Sequence, residues 1–131
     1  MQFTYDVDRE QGLARVQAHG PFDLEKTLAA PLILFAMPEF ESSYGIVVDI
    51  REVEWKPDAT GVMAIARNLV RFKSLFEHPT ALVVEGIAFR AGAELSAALA
   101  SAGGYKMRVF SEIEEAEAWL MSSDASERAT L

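Results

Sequence analysis

Ile46-Val47-Val48-Asp49-Ile50, followed by Asp58-Ala59-Thr60-Gly61 and a long amphipathic segment, is the stretch that decides the fold. The first run is nearly continuous in apolar residues, the pattern of a strand buried on both faces of a helix-covered parallel sheet. After it, Val62, Ile65, Leu69, Phe72 and Phe76 recur at three- and four-residue steps, which predicts a helix with one apolar stripe, ended by His78-Pro79. Ala81-Leu82-Val83-Val84 is a second run of the buried-strand kind. Strand, helix and strand in that order point to a parallel β-α-β unit.

Working outward, Phe3, Tyr5 and Val7 alternate with polar neighbours, and Ala14, Val16 and Ala18 do so again after the turn Arg9-Glu10-Gln11-Gly12. That is a hairpin with one buried face. His19-Gly20-Pro21 is expected to break its second strand. Asp23 then caps a helix carrying Leu24, Leu28, Leu32 and Phe35 on one side, with Pro31 expected to kink or split it and Pro38 and the polar residues 39–43 to end it.

On the other side, Ala88 to Ala102 predicts an alanine-rich helix presenting Phe89, Leu95 and Leu99, stopped by Gly103-Gly104. Met107 to Phe110 is the last strand. Ser111 with Glu114 has the form of a capping box opening a helix that buries Ile113, Ala116 and Leu120 or Trp119. The order β-β-α-β-α-β-α-β-α implies an α/β fold: a mixed five-stranded sheet with an N-terminal antiparallel hairpin followed by β-α units and about four helices. The expectation is a single domain over residues 1–121 and a polar, frayed tail over 122–131.

With 131 residues, half of them apolar, the chain can bury a core without staples. Cysteine is absent, which removes disulfides, thiolate metal sites and cysteine nucleophiles together. The net charge of −8 disfavours unspecific binding to nucleic acid or an anionic membrane surface. The start Met1-Gln2-Phe3-Thr4-Tyr5-Asp6 lacks the features of a signal peptide, and the longest apolar run, Ala29 to Pro38, is about half a membrane span. The expectation is a cytoplasmic protein without membrane insertion. The acidic residues Glu112, Glu114, Glu115 and Glu117 read as a solvated helix face.

Catalytic and cofactor signatures are missing: there is no phosphate loop, no dinucleotide fingerprint and no serine in an elbow pattern. His19 and His78 fall in different loops and do not form a metal motif, so neither a cofactor nor a metal is expected. Asp49 and Asp58 both flank the carboxyl end of a central strand, where open α/β sheets place ligands; they could form an acid/base pair, or Asp49 could order the loop while Asp58 caps the helix. Thr60 faces the same choice. Either it simply caps the helix, or a phosphoryl group on it would meet unpaired N–H groups and act as a switch.

The order of the segments resembles the STAS domain, the family of bacterial anti-sigma-factor antagonists (stage II sporulation AA-like proteins) and of the cytoplasmic domains of sulfate transporters. Gly20-Pro21-Phe22-Asp23 is similar to the family's Gly-x-Leu-Asp, Val47-Val48-Asp49-Ile50 to its strand ending in Asp-Leu, and Asp58-Ala59-Thr60-Gly61 to its Asp-Ser-Ser/Thr-Gly. Arg108-Val109-Phe110-Ser111 with Glu114, Glu115, Ala116 and Trp119-Leu120 is similar to its closing strand and helix. The resemblance covers about residues 12 to 121 and implies that Thr60 is the phosphoacceptor. Ala59 replaces the first hydroxyl of the pair, Glu52 to Pro57 is an insertion before the motif, and Pro31 departs from the usual first helix. The chain is thus similar to a divergent branch, related in fold to the lipid-carrying CRAL-TRIO domains.

The resemblance implies a non-catalytic regulatory module that binds a protein partner, such as an anti-sigma-factor-like kinase, through Asp49, Asp58, Thr60 and Gly61. The alternative is a binder of a small apolar ligand or lipid, since Ala29 to Pro38 exceeds what one face of a helix buries. Leu32, Ile33, Leu34, Phe35 and Met37 would then form a ligand patch, or else core or a homodimer interface.

Overall fold

The computed structural model describes residues 1–54, 58–75 and 79–122. Strands β1 (Gln2–Asp8), β2 (Leu13–Pro21), β3 (Gly45–Glu54), β4 (Thr80–Val83) and β5 (Met107–Phe110) alternate with helices α1 (Leu24–Phe35), α2 (Ala59–Arg71), α3 (Ile87–Ala102) and α4 (Ile113–Leu120) after the opening hairpin. The sheet order is β1-β2-β3-β4-β5, with β1 antiparallel to β2 and the remaining pairs parallel. This is the mixed five-stranded α/β architecture expected from the sequence. The expectations for Phe76, for His78 and for the tail from residue 123 lie outside the described residues.

The hairpin turn needs a left-handed residue, and Gly12 supplies it at φ +66°. Asp8 secures the turn by accepting the Gln11 N–H at 3.1 Å. Val47, Ala81 and Val83 point to one face of the sheet, where Ala116 and Leu120 of α4 cover them. Arg15 fastens α4 to that face: its Nε and Nη2 donate to both carboxylate oxygens of Glu117 at 3.0 and 2.9 Å. Glu117 is therefore a clamp rather than part of a solvated acidic face. Tyr5, Val16, Val48 and Leu82 turn to the opposite face, beneath α1, α2 and α3.

His19-Gly20-Pro21 does not break β2. The strand runs on to Pro21 and pairs His19, Gly20 and Pro21 with Glu52, Val53 and Glu54, so the first part of the inserted loop is an extension of β3. Pro21 is tolerated because the Phe22 N–H turns to Glu54 (2.9 Å); the position of the missing Pro21 N–H faces the other way, where β1 pairs no further than His19. Between Gln17–Asp49 and His19–Glu52, β3 takes three steps where β2 takes two. This bulge reverses the alternation, so that Ile46, Val48, Ile50 and then Val53 all face the same cavity.

Three helical expectations change. Asp23 does cap α1, accepting the Lys26 N–H at 3.1 Å, but the helix runs unbroken through Pro31. Its inner face is Leu28, Pro31 and Leu34, while Leu32 and Phe35 stand outside at 49% and 42% exposure. In α3, Leu95 and Leu99 are exposed and Ala93, Ala97 and Ala100 are buried, because small side chains let the helix lie close to β5. At α4 no side chain caps the first turn; Glu112 is the N-cap residue, and the Ser111 hydroxyl instead accepts from Arg90. The stripe Val62, Ile65 and Leu69 of α2 does face inward, as its spacing predicts.

Candidate functional site

The two regions singled out in the sequence have different geometry. At the start of α2, Asp58 is the N-cap, and its Oδ1 accepts the Gly61 N–H at 2.7 Å. Thr60, in the first turn, is exposed, and its hydroxyl makes no hydrogen bond among the described residues. Gly61 is buried, with Asp58 Oδ1 only 3.3 Å from where its Cβ would stand. Asp58 and Thr60 are thus the surface residues of this group.

Asp49 does not join them. It is 7% exposed and shares the sheet face of Val47, under α4, whereas α2 lies over the other face. Its Oδ1 accepts the Arg51 N–H and Nε at 3.1 and 3.0 Å, and its Oδ2 accepts Nη2 at 3.0 Å. With both oxygens engaged, it is a fixture of the β3 bulge, not half of an acid/base pair. Asp49 leaves the surface group for the same reason.

The apolar run of α1 divides in two. Leu34 is buried at 3%, and Met37 packs against the same core cluster, so neither belongs to an exposed patch; Leu32, Ile33 and Phe35 do face outward. The inner half, with Ala30, Pro31 and Leu34, walls a cavity of about 140 Å³ between the sheet and α1, α2 and α3. Every strand contributes to its floor, from Phe3 and Tyr5 on β1 to Met107 on β5. Asn68 of α2 ties the roof together, its Nδ2 donating to the Leu28 carbonyl of α1 at 2.9 Å. Partly exposed Met1 and Phe22 also line it.

Among the described residues the wall is apolar apart from a few neutral polar groups, and no charged side chain lines it. Thr80 and Tyr105 satisfy one another at 2.8 Å, and burial pushes the Tyr105 phenol up to about 12. Burial also raises the Tyr5 phenol, which therefore stays neutral near pH 7. Tyr5 Oη and Ser96 Oγ are buried without a hydrogen-bond partner. Sequence reasoning missed Ser96, Tyr5 and Asn68. A serine in an alanine-rich helix and a tyrosine in an alternating strand carry no signal until the fold shows what they face.

Among the described residues no group of three or more His, Asp or Glu side chains is placed to hold a metal ion. None of their helices is long and apolar enough to cross a membrane. No protein-family model matches the sequence, and no curated protein does. Among solved structures, the chain is similar to an uncharacterised protein of the DUF3478 family with a SpoIIAA-like fold from Shewanella loihica, at TM-score 0.59 and 15% identity over 90% of this chain and 93% of that one. The fold is therefore SpoIIAA-like, as the resemblance to STAS domains implies; at that identity the likeness is one of fold.

Proposed function

We propose that this protein is a non-catalytic binding module that takes a small apolar molecule into the cavity beneath α1, α2 and α3. The observation that carries this reading is the cavity itself: about 140 Å³ of apolar space holding two hydroxyls without partners. Protein interiors are close-packed, and an apolar void of roughly 150 Å³ is enough to bind benzene. Native mass spectrometry of the protein purified from its own cells tests it. A non-covalent mass on the wild type that is lost from Leu34→Phe, whose ring fills the cavity, supports the proposal. Bare protein that also ignores added toluene refutes it.

A second reading is a regulatory module of the anti-sigma-antagonist kind that docks on a protein partner around Asp58 and is switched by phosphorylation of Thr60. It is favoured by the exposed Thr60 hydroxyl, without a hydrogen bond among the described residues, beside a capped helix start in a SpoIIAA-like fold. Phosphorylation would add nearly two negative charges there. Affinity capture from the native lysate, comparing wild type with Thr60→Glu, tests it: a partner retained by one and lost by the other supports the switch, and identical captures count against it.

A further inference from the structure

Most hydroxyls in the cavity wall have an internal partner. Thr27 Oγ1 donates to the Asp23 carbonyl at 2.8 Å, and Thr80 and Tyr105 bond to each other. Ser96 is different. A helical serine ordinarily returns its hydroxyl to the carbonyl one turn back. Ser96, 4% exposed between Ala93 and Ala97, has no partner among the described residues and lines the cavity. Tyr5 is the other unpartnered hydroxyl, but it stands on the edge strand β1, while α3 packs by β5 at the far side of the sheet. Of the two, Ser96 is the more deeply buried, since Tyr5 is only partly buried.

We infer that the molecule bound in the cavity is uncharged and carries a hydroxyl or carbonyl that hydrogen-bonds to Ser96 Oγ. This rests on the cavity being the binding site proposed above. Among the described residues the wall has no charged side chain, so a carboxylate or ammonium would enter without a side-chain counter-charge, at a high cost. A neutral oxygen opposite Ser96 instead completes a buried hydroxyl of α3 that has no partner among the described residues, while the apolar wall takes the rest of the molecule. The ligand class is a small neutral alcohol, phenol or ketone.

The experiment is calorimetric titration of the full chain with phenol, with the isosteric toluene and with benzoate. Ser96→Ala should weaken phenol by about tenfold, the effect of one buried hydrogen bond, and change toluene by less than about twofold. Tyr5→Phe should leave both within about twofold, and benzoate should not bind. Ser96→Ala removes a buried unpaired hydroxyl and favours the helix, so the variant folds and its unliganded Tm stays level or rises. Phenol affinity that survives Ser96→Ala, falls in Tyr5→Phe instead, or is matched by benzoate overturns the inference. Toluene that fails to bind wild type overturns the cavity reading itself, which separates the two failures.

Discussion

Asp49 holds Arg51 by three hydrogen bonds, one to the backbone N–H at 3.1 Å and two to the guanidinium at 3.0 Å each. The backbone bond sits where β3 bulges past β2, so the carboxylate accepts an N–H in a stretch where the ladder is irregular. The motif strand ending in Asp-Ile is thus tied to the strand's shape. That shape brings Val53 to the cavity after Ile46, Val48 and Ile50.

Asp49→Ala should therefore destabilise the protein by about 1–3 kcal/mol, because it removes three part-buried hydrogen bonds, two of them between charged groups. The urea midpoint should fall with an unchanged slope. A variant as stable as wild type would show that the bulge stands without the carboxylate.

Tyr105→Phe removes the partner of the buried Thr80 hydroxyl and should cost about 1–3 kcal/mol at neutral pH. It should also change alkaline unfolding. In the fold the Tyr105 phenol keeps its proton to about 12, above the ordinary value of 10.0 that applies in the unfolded chain. Its contribution is whole below about pH 10 and is lost as pH rises from there through the folded value, since the unfolded state ionises first. Thermal melts from pH 8 to 12 should show a shallower alkaline decline in Tyr105→Phe. Parallel curves would contradict the burial of this phenol.

Gly103→Ala should be destabilising although the backbone at Gly103 is ordinary. A Cβ there would stand 2.5 Å from Cγ2 of Val70, a β-branched side chain with little freedom to turn aside. Overpacking of this kind costs about 1–3 kcal/mol, and Val70→Ala in the same chain should restore part of it. Chemical denaturation of the two single variants and the double reads the coupling. Additive losses would mean that α2 and α3 do not meet here.

The succession of strands and helices along the chain was readable, in part because Ile46–Ile50 and Ala81–Val84 are apolar on both sides, which a sheet covered by helices on both faces requires. The helix faces were harder. Between residues 28 and 35, apolar residues occupy every position of α1, so periodicity could not tell Leu34, inside, from Leu32, outside. In α3 the large side chains suggested the wrong face, since close approach to β5 selects alanine there. The run Ala29 to Pro38 contributes Ala30, Pro31 and Leu34 to the cavity wall, but Ser96 could not be found from sequence: what sets it apart is the absence of a partner among the described residues.

The central claim is that the apolar space inside the fold, rather than the apolar surface outside it, receives a ligand. Methyl-resolved NMR of the full chain titrated with toluene tests this most directly, because the two places carry different assigned methyl groups. Binding in the cavity should give saturable shifts of Leu28, Leu34, Val48 and Ile65, which line it, with Leu32 and Ile33 unmoved. Shifts confined to Leu32 and Ile33, or none at all, would contradict it.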